Sequence, residues 1–234
     1  MLRFHLIRIL QITCAILLVG RAWQHLFWDA PYDFFFSEKA GFSDWFVGQF
    51  TAGMGWFYLI GVILCFTLDN RDSKWGYTFV VYSAALLLLA QLYRASNDCE
   101  VPTLFLYTSQ IATPFIFYQL QFTMIPIKRI MNTLKISLTL TLGAYAWYAF
   151  GFYYGYKTEW LEGLNRVFGS GPEGASYILI SLGIVEIIII LALWVKPIQK
   201  VAFAGILFWG FLLMVASVAL FFMEHPHWQS GLRS

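Results

Sequence analysis

The sequence is poor in charge, cysteine and histidine, and these absences exclude several classes of protein. Charged residues make up 12% of the 234 residues, against about 25% in soluble domains. The net charge of +2 does not indicate a nucleic-acid partner. Three cysteines without a CxxC pair exclude a disulfide framework. His225 and His227 lack a third ligand, so no metal site is predicted.

Long apolar runs take the place of the missing charge. Hydrophobic residues make up 59% of the chain, and the mean hydropathy is +0.66. A run of about 20 apolar residues is long enough to cross a bilayer as a helix. We therefore predict an all-α, seven-span transmembrane bundle, with a retained first anchor helix and spans at about 6–28, 50–68, 76–94, 102–122, 134–155, 174–195 and 201–223.

The loops between these runs alternate in charge. One set is basic and includes Arg3, Arg8, Arg71, Lys128 and Lys196, whereas most acidic residues lie in the other set. Basic loops stay on the cytoplasmic side. The pattern predicts an inner (cytoplasmic) membrane protein with its N-terminus inside and its C-terminus outside.

Two outer loops are rich in aromatic residues and are predicted to lie at the membrane interface. The first spans about 30–49 and contains three consecutive phenylalanines at 34–36, followed by Trp45 and Phe46. The second spans about 156–169. Aromatic belts are common at both membrane surfaces, so these segments do not by themselves identify a binding site.

A polar stripe marks the end of the first run. Arg21, His25 and Asp29 follow each other at intervals of four, so they share one helix face, with Gln24 and Trp28 beside them. Charged residues inside a span normally face a protein interior or a wet cavity and have a partner. The stripe is therefore a candidate ligand-binding site, with helix registration as the structural alternative.

Two further charged residues are candidates for the same site. Glu186 lies near the middle of the sixth predicted span, and Arg21 lies about 6 Å further outward at 1.5 Å per residue. A pair between them would satisfy both charges. Arg94, at the outer end of the third span, either closes the same cavity or reaches the interface as a snorkelling side chain.

The two halves of the chain resemble each other. A Gly-centred apolar helix at Gly61 recurs at Gly183, and a basic turn at Lys74 recurs at Lys196, both with an offset of 122 residues. Parallel repeats of this kind are found in membrane proteins. We predict a first four-helix unit at 1–133 and a second unit at 134–234. The second unit has three helices, and the fourth helix of the repeat is absent or truncated.

The repeated unit resembles the DoxX-like membrane family. The resemblance rests on a helix, an outer amphipathic segment, a helix with Gly183-Ile184-Val185-Glu186, a basic turn and a further helix. The segment GRAWQHLFWDAPY also resembles a group of uncharacterised bacterial polytopic proteins. Some DoxX-like proteins take part in quinone-coupled sulfur or thiol redox chemistry, so the resemblance implies quinone as a possible cofactor.

The sequence leaves two functions open. The first is a non-catalytic subunit or scaffold of a membrane assembly, with protein partners, the lipid bilayer around it and no cofactor. The second is a quinone- or lipid-binding redox or transport protein that uses Arg21, His25 and Glu186. The absence of a redox cysteine pair and of opposed haem ligands favours the first. Whether the protein is an enzyme is not determined by the sequence.

Overall fold

The computed structural model is all-helical in the residues it describes, which are 2–28, 30–68, 73–97, 99–151, 161–165, 169 and 171–224, with the backbone alone at 2, 73 and 213–224. A π-helical turn covers Phe35–Lys39, and a 3-10 turn covers Lys196–Ile198. The helices are α1 (Leu2–Phe27), α2 (Asp44–Thr67), α3 (Ser73–Gly76), α4 (Thr78–Ser96), α5 (Val101–Leu106), α6 (Thr108–Phe122), α7 (Ile127–Ala149), α8 (Gly171–Trp194) and α9 (Gln199–Glu224).

Four of the described helices are long and apolar enough to cross a membrane. They comprise Arg3–Phe27, Asp44–Thr67, Lys74–Ser96 and Gly171–Trp194. The predicted helical fold is confirmed, and these helices are compatible with a multi-pass membrane protein. The count of seven spans and the orientation stay predictions.

Several helix boundaries differ from those predicted from the apolar runs; for example, α7 begins at Ile127 rather than near 134. Helix α2 begins at Asp44 rather than near 50, because the Ser43 side chain accepts a hydrogen bond from the Phe46 amide and caps the helix. The fourth predicted span is divided at Tyr107 into α5 and α6. Helix α7 ends at Ala149 rather than 155, and Gly151 follows with a positive φ of 73°.

The chain separates into two compact units, Met1–Thr141 and Leu142–Ser234, with the border inside α7. In unit 1, α1 packs along α2, and α6 packs against both α1 and α4. In unit 2, α8 and α9 pack against each other across the 3-10 turn. The predicted internal repeat and its border at 133 stay predictions.

Glycine permits the close approach of helices in the core of unit 1. A Cβ atom added to Gly61 would lie 2.7 Å from the Tyr82 ring and 2.9 Å from a Leu18 methyl group. The buried core around this contact includes Leu18, Tyr58, Phe79 and Tyr82. Small residues at helix interfaces serve the same purpose in membrane proteins generally. The contact holds α1, α2 and α4 together halfway along α1.

Candidate functional site

Arg21 is the centre of a buried polar cluster at the C-terminal end of α1. Only 9% of its surface is exposed. Its Nη1 donates to Oε1 of Gln24 at 2.8 Å, and its Nε donates to Oε1 of Gln110 at 3.2 Å. Its Nη2 also donates to Oε1 of Gln110. One amide comes from the next turn of α1 and the other from α6, so the guanidinium joins two helices.

Two tyrosine rings cover the guanidinium group. The Cζ atom of Arg21 lies 4.7 Å from the ring centre of Tyr107 and 5.7 Å from that of Tyr93. The two rings also contact each other edge to face, with centres 5.3 Å apart. Cation–π contacts each stabilise a cation by about 0.5–1 kcal/mol at an exposed site and by about 2 kcal/mol or more when the cation is desolvated. They favour the charge but do not neutralise it.

His25 lies one turn further along α1 and is held in one orientation. Its Nδ1 donates to the Arg21 carbonyl oxygen at 2.7 Å, because a carbonyl can only accept. The ring is 3% exposed and contacts the rings of Tyr32 and Tyr58, with centres 5.7 and 5.5 Å away. In the neutral tautomer that this bond selects, Nε2 carries a lone pair and acts as an acceptor.

Four buried polar atoms around Arg21 and His25 have no hydrogen-bond partner among the described residues. They are Nε2 of His25 and the hydroxyl groups of Tyr32, Tyr58 and Tyr93. Buried polar atoms are usually paired, and those that are not call for an explanation such as a water, an ion or a ligand. We define the Arg21 cluster as Arg21, Gln24, His25, Tyr58, Tyr93, Tyr107 and Gln110.

The loop after α1 folds over the cluster and is fixed by Asp33. The Asp33 carboxylate accepts the Ala30 amide at 2.8 Å on Oδ2 and the Thr51 hydroxyl at 2.7 Å on Oδ1. Tyr32, in the same loop, is fully buried against His25 and Tyr93. Burial raises the pKa of the Tyr32 phenol, so its hydroxyl stays protonated.

Arg21 has no carboxylate partner within the described part of unit 1. The nearby Asp33 carboxylate uses both oxygens to hold the loop. The hydrogen-bond acceptors that the structure gives the guanidinium are uncharged, namely the amide oxygens of Gln24 and Gln110 and the Tyr107 hydroxyl. A buried charge without a counter-charge is costly unless something outside these residues supplies one.

An apolar groove runs along the neighbouring face of α6. Its volume is about 480 Å³, and it lies between α4, α6 and the first half of α7. The hydroxyls of Ser83 and Ser137 donate to carbonyls of their own helices, which leaves the groove surface apolar. Its lining includes Val80, Ala84, Leu87, Ile111, Phe115 and Ile136. We refer to it as the α4–α6–α7 groove.

The groove and the Arg21 cluster occupy adjacent stripes of α6. Tyr107 and Gln110 contact the guanidinium, and their sequence neighbours Thr108 and Ile111 line the groove. The groove extends along α4 from Val80 to Leu87, about 10 Å at 1.5 Å per residue. The cluster therefore lies beside the end of the groove that is formed by the first turn of α6.

The remaining predicted site residues are not among those that define the Arg21 cluster. Trp28 follows the last residue of α1, is half-buried, and donates its amide to the Gln24 carbonyl at 3.1 Å. Arg94 is half-buried near the end of α4, and its Nε has no partner among the described residues. Asp29, His225 and His227 lie outside the described residues.

Glu186 is 3% exposed in α8 of unit 2. The Trp209 indole of α9 donates to its Oε1 at 3.0 Å, and its Oε2 has no partner among the described residues. The bond joins the two long helices of unit 2. Arg21 and Glu186 belong to different units, so their pairing stays a prediction.

The sequence analysis missed the residues that hold Arg21 from other helices. Gln110 lies 89 positions away, and Tyr93 and Tyr107 are two among 13 tyrosines. A glutamine in an apolar run was the available signal, since an uncharged polar side chain there tends to find a partner. Of the residues that hold Arg21, only Gln24 was named from the sequence, as a neighbour of the stripe.

Comparison with known proteins gives no match to a family model, a curated protein or a solved structure. Among the described residues, no group of three or more His, Cys, Asp or Glu side chains could hold a metal ion. The site must therefore be interpreted from its own geometry. That geometry is a buried cation with neutral partners, unpaired hydroxyls and an adjacent apolar groove.

Proposed function

We propose that the protein is a multi-pass membrane protein that binds a membrane amphiphile, either a quinone or a lipid. The polar head of the amphiphile contacts the Arg21 cluster, and its chain occupies the α4–α6–α7 groove. The observation that carries the proposal is the position of these two features on adjacent stripes of α6. Ligand sites commonly combine an apolar cleft with a few convergent polar groups.

The membrane arrangement in this proposal is the one predicted from the charge pattern. Seven helices span the inner membrane, with the N-terminus inside and the C-terminus outside. The Arg21 cluster then lies in the outer half of the bundle. The resemblance to the DoxX-like family supports quinone as one of the two classes of ligand.

Binding of the chain of the amphiphile in the groove is tested by filling the groove with a bulky side chain. We would purify the wild type, Ala84→Trp and Leu88→Trp in a mild detergent and identify the extracted lipids and quinones by mass spectrometry. Ala84 lines the groove, whereas Leu88 is 53% exposed on the same helix and lies outside the groove lining. We expect the wild type and Leu88→Trp to retain one species that Ala84→Trp loses. Equal retention by all three would overturn the proposal.

The second candidate function is a non-catalytic subunit or scaffold of a membrane complex. Gly20, Gly48 and Gly53 favour it, because a Cβ atom added at any of them meets nothing within 4 Å. Open glycine faces allow another helix to approach closely. Gly53→Leu would then release a co-purifying protein partner without changing the retained amphiphile.

A further inference from the structure

We infer that the amphiphile bound by the Arg21 cluster carries an anionic head, a carboxylate or a phosphate. The inference rests on the proposed function and narrows its ligand class. It starts from the charge balance of the cluster. An arginine side chain carries a positive charge in proteins, and Arg21 is 9% exposed in a helix that is long and apolar enough to cross a membrane. Its described acceptors are all uncharged: the amide oxygens of Gln24 and Gln110 and the Tyr107 hydroxyl.

The guanidinium retains the capacity to bind an oxyanion. It has five N–H groups, and the bonds to the two amides use one on each nitrogen. Nη1 and Nη2 therefore each keep one N–H group beyond the amide bonds, and the only other acceptor described beside them is the neutral Tyr107 hydroxyl. Arginine binds planar carboxylate and phosphate oxygens through paired N–H groups. The rings of Tyr93 and Tyr107 fix the plane of the group. The site is therefore orientated for an oxyanion before one binds.

The neighbouring hydroxyls add donors of the correct type. The Tyr93 side chain is 2% exposed and that of Tyr58 is fully buried, and neither hydroxyl has a partner among the described residues. A tyrosine hydroxyl can donate a hydrogen bond to an anionic oxygen while it stays uncharged. His25 differs, because Nδ1 is committed to the Arg21 carbonyl and leaves Nε2 as an acceptor. The anion is therefore bound by Arg21 and the tyrosines.

A neutral quinone satisfies this site less well. Its carbonyl oxygens accept hydrogen bonds but leave the buried positive charge without compensation, whereas a carboxylate or a phosphate supplies both. The guanidinium forms a charge-assisted hydrogen bond with either kind of acceptor, but only the anion also compensates the buried charge. Two sources share the required chemistry, a single-chain fatty acid and a phospholipid with a net negative head.

The test measures thermal unfolding of the delipidated protein in an uncharged maltoside detergent with four added amphiphiles. They are oleate, phosphatidylglycerol, zwitterionic phosphatidylcholine and ubiquinone. A ligand that binds the native state raises the unfolding temperature with its concentration. We expect oleate or phosphatidylglycerol to bind at least about 10-fold more tightly than the other two, equivalent to about 1.4 kcal/mol. A larger effect of oleate identifies a fatty acid, and a larger effect of phosphatidylglycerol identifies a phospholipid.

Three variants show whether Arg21 causes the selectivity. Arg21→Gln should abolish the response to the anionic amphiphile, Arg21→Lys should retain a weaker one, and Arg8→Gln should leave it unchanged. Arg8 is a matched control because it lies on the same helix and also bonds to a glutamine three residues further on. If Arg21→Gln does not fold, Arg21→Lys still tests the site, because it keeps the charge and loses the paired N–H geometry.

The outcomes separate the inference from the proposed function. A response to ubiquinone alone would overturn the anionic head and leave amphiphile binding intact. No response to any of the four would overturn both. An equal response of Arg21→Gln and the wild type would show non-specific partitioning and overturn the inference. Anion binding that appears only in Asp29→Asn would also overturn it, because Asp29 would then be the counter-ion of Arg21.

Discussion

Helix α1 carries two arginine–glutamine pairs of identical spacing, and their surroundings differ. Near the N-terminal end, exposed Arg8 donates to Oε1 of Gln11 at 3.0 Å. Near the C-terminal end, buried Arg21 donates to Oε1 of Gln24 at 2.8 Å. The local sequence pattern is the same, with a spacing of three that brings both side chains to one helix face. The difference in burial therefore comes from the other helices.

The N-terminal pair is a structural contact whose cation is open to solvent or lipid head groups. Gln11 donates to the Cys65 carbonyl of α2 at 2.6 Å, in the last turn of that helix. Carbonyl groups of the last turn have no partner within their own helix, so Gln11 supplies one. Arg8 stacks near Phe4 at 5.4 Å and remains exposed. Its charge needs no specific counter-ion.

The C-terminal pair is enclosed by α4, α6 and the loop after α1, and its charge lacks compensation within the described part of unit 1. The same arginine–glutamine pair therefore has two different roles. Where water can reach the cation, the pair fixes a helix end. Where tyrosines and an amide enclose it, the pair prepares a site for an anion. The following variants compare the two ends directly.

The largest effect on stability is expected for Gln110→Leu. Loss of this amide removes the acceptor for Nε and Nη2 of buried Arg21, and hydrogen bonds to a charged group contribute about 1.5–3 kcal/mol. Gln11→Leu should lower the free energy of unfolding by only about 1 kcal/mol, because its bond to the Cys65 carbonyl is neutral and the exposed Arg8 guanidinium, which also loses its bond to Gln11, can bond to water instead. Reversible unfolding in mixed micelles measures both. Equal losses would contradict the distinction between the two ends.

An intermediate loss of stability is expected for Gly61→Ala, because Gly61 of α2 lies against the part of α1 between the two arginine–glutamine pairs. The added methyl group would overlap the Tyr82 ring and Leu18, and overpacking of a core costs about 1–3 kcal/mol. Gly20→Ala is the matched control on α1, because nothing lies within 4 Å of its added Cβ atom. It should leave stability unchanged or raise it by up to about 1 kcal/mol, the difference in helix propensity. A destabilised control would argue against the described packing of α1.

The smallest effect is expected for Ser43→Ala at the start of α2, on the same side as the Arg21 cluster. Loss of the cap on the Phe46 amide should cost about 1 kcal/mol. Thr67→Ala, at the other end of α2, should be nearly neutral, because its exposed hydroxyl bonds only to the Ile63 carbonyl of its own helix. Amide hydrogen exchange in the first turn of α2 measures the local loss. Unchanged exchange in Ser43→Ala would exclude the cap.

The sequence predicted the helical class and the shared face of Arg21 and His25, because both follow from local spacing. An apolar run specifies a helix in a bilayer, and an interval of four specifies a face. It did not predict Gln110 as the partner of Arg21, since a contact over 89 positions depends on how α1 and α6 pack. It also missed the division at Tyr107, because neither a glycine nor a proline lies beside that residue, although three polar residues follow it at 108–110.

The groove was not predicted either. Its lining comes from three helices, and its polar residues do not mark it, since Ser83 and Ser137 turn their hydroxyls back to their own helices. Apolar residues that line a groove and apolar residues that face lipid tails are the same in composition. The sequence alone therefore indicates the polar end of the candidate site but not its apolar part.

Native mass spectrometry of the wild type, Arg21→Gln and Arg8→Gln, released from a mild detergent, tests the central claim most directly. The account predicts one bound amphiphile with an acidic head on the wild type and on Arg8→Gln, and none on Arg21→Gln. Identical spectra for all three proteins, with or without a bound amphiphile, would contradict it. The buried pair at the C-terminal end of α1 would then be a structural contact like the exposed pair at the other end.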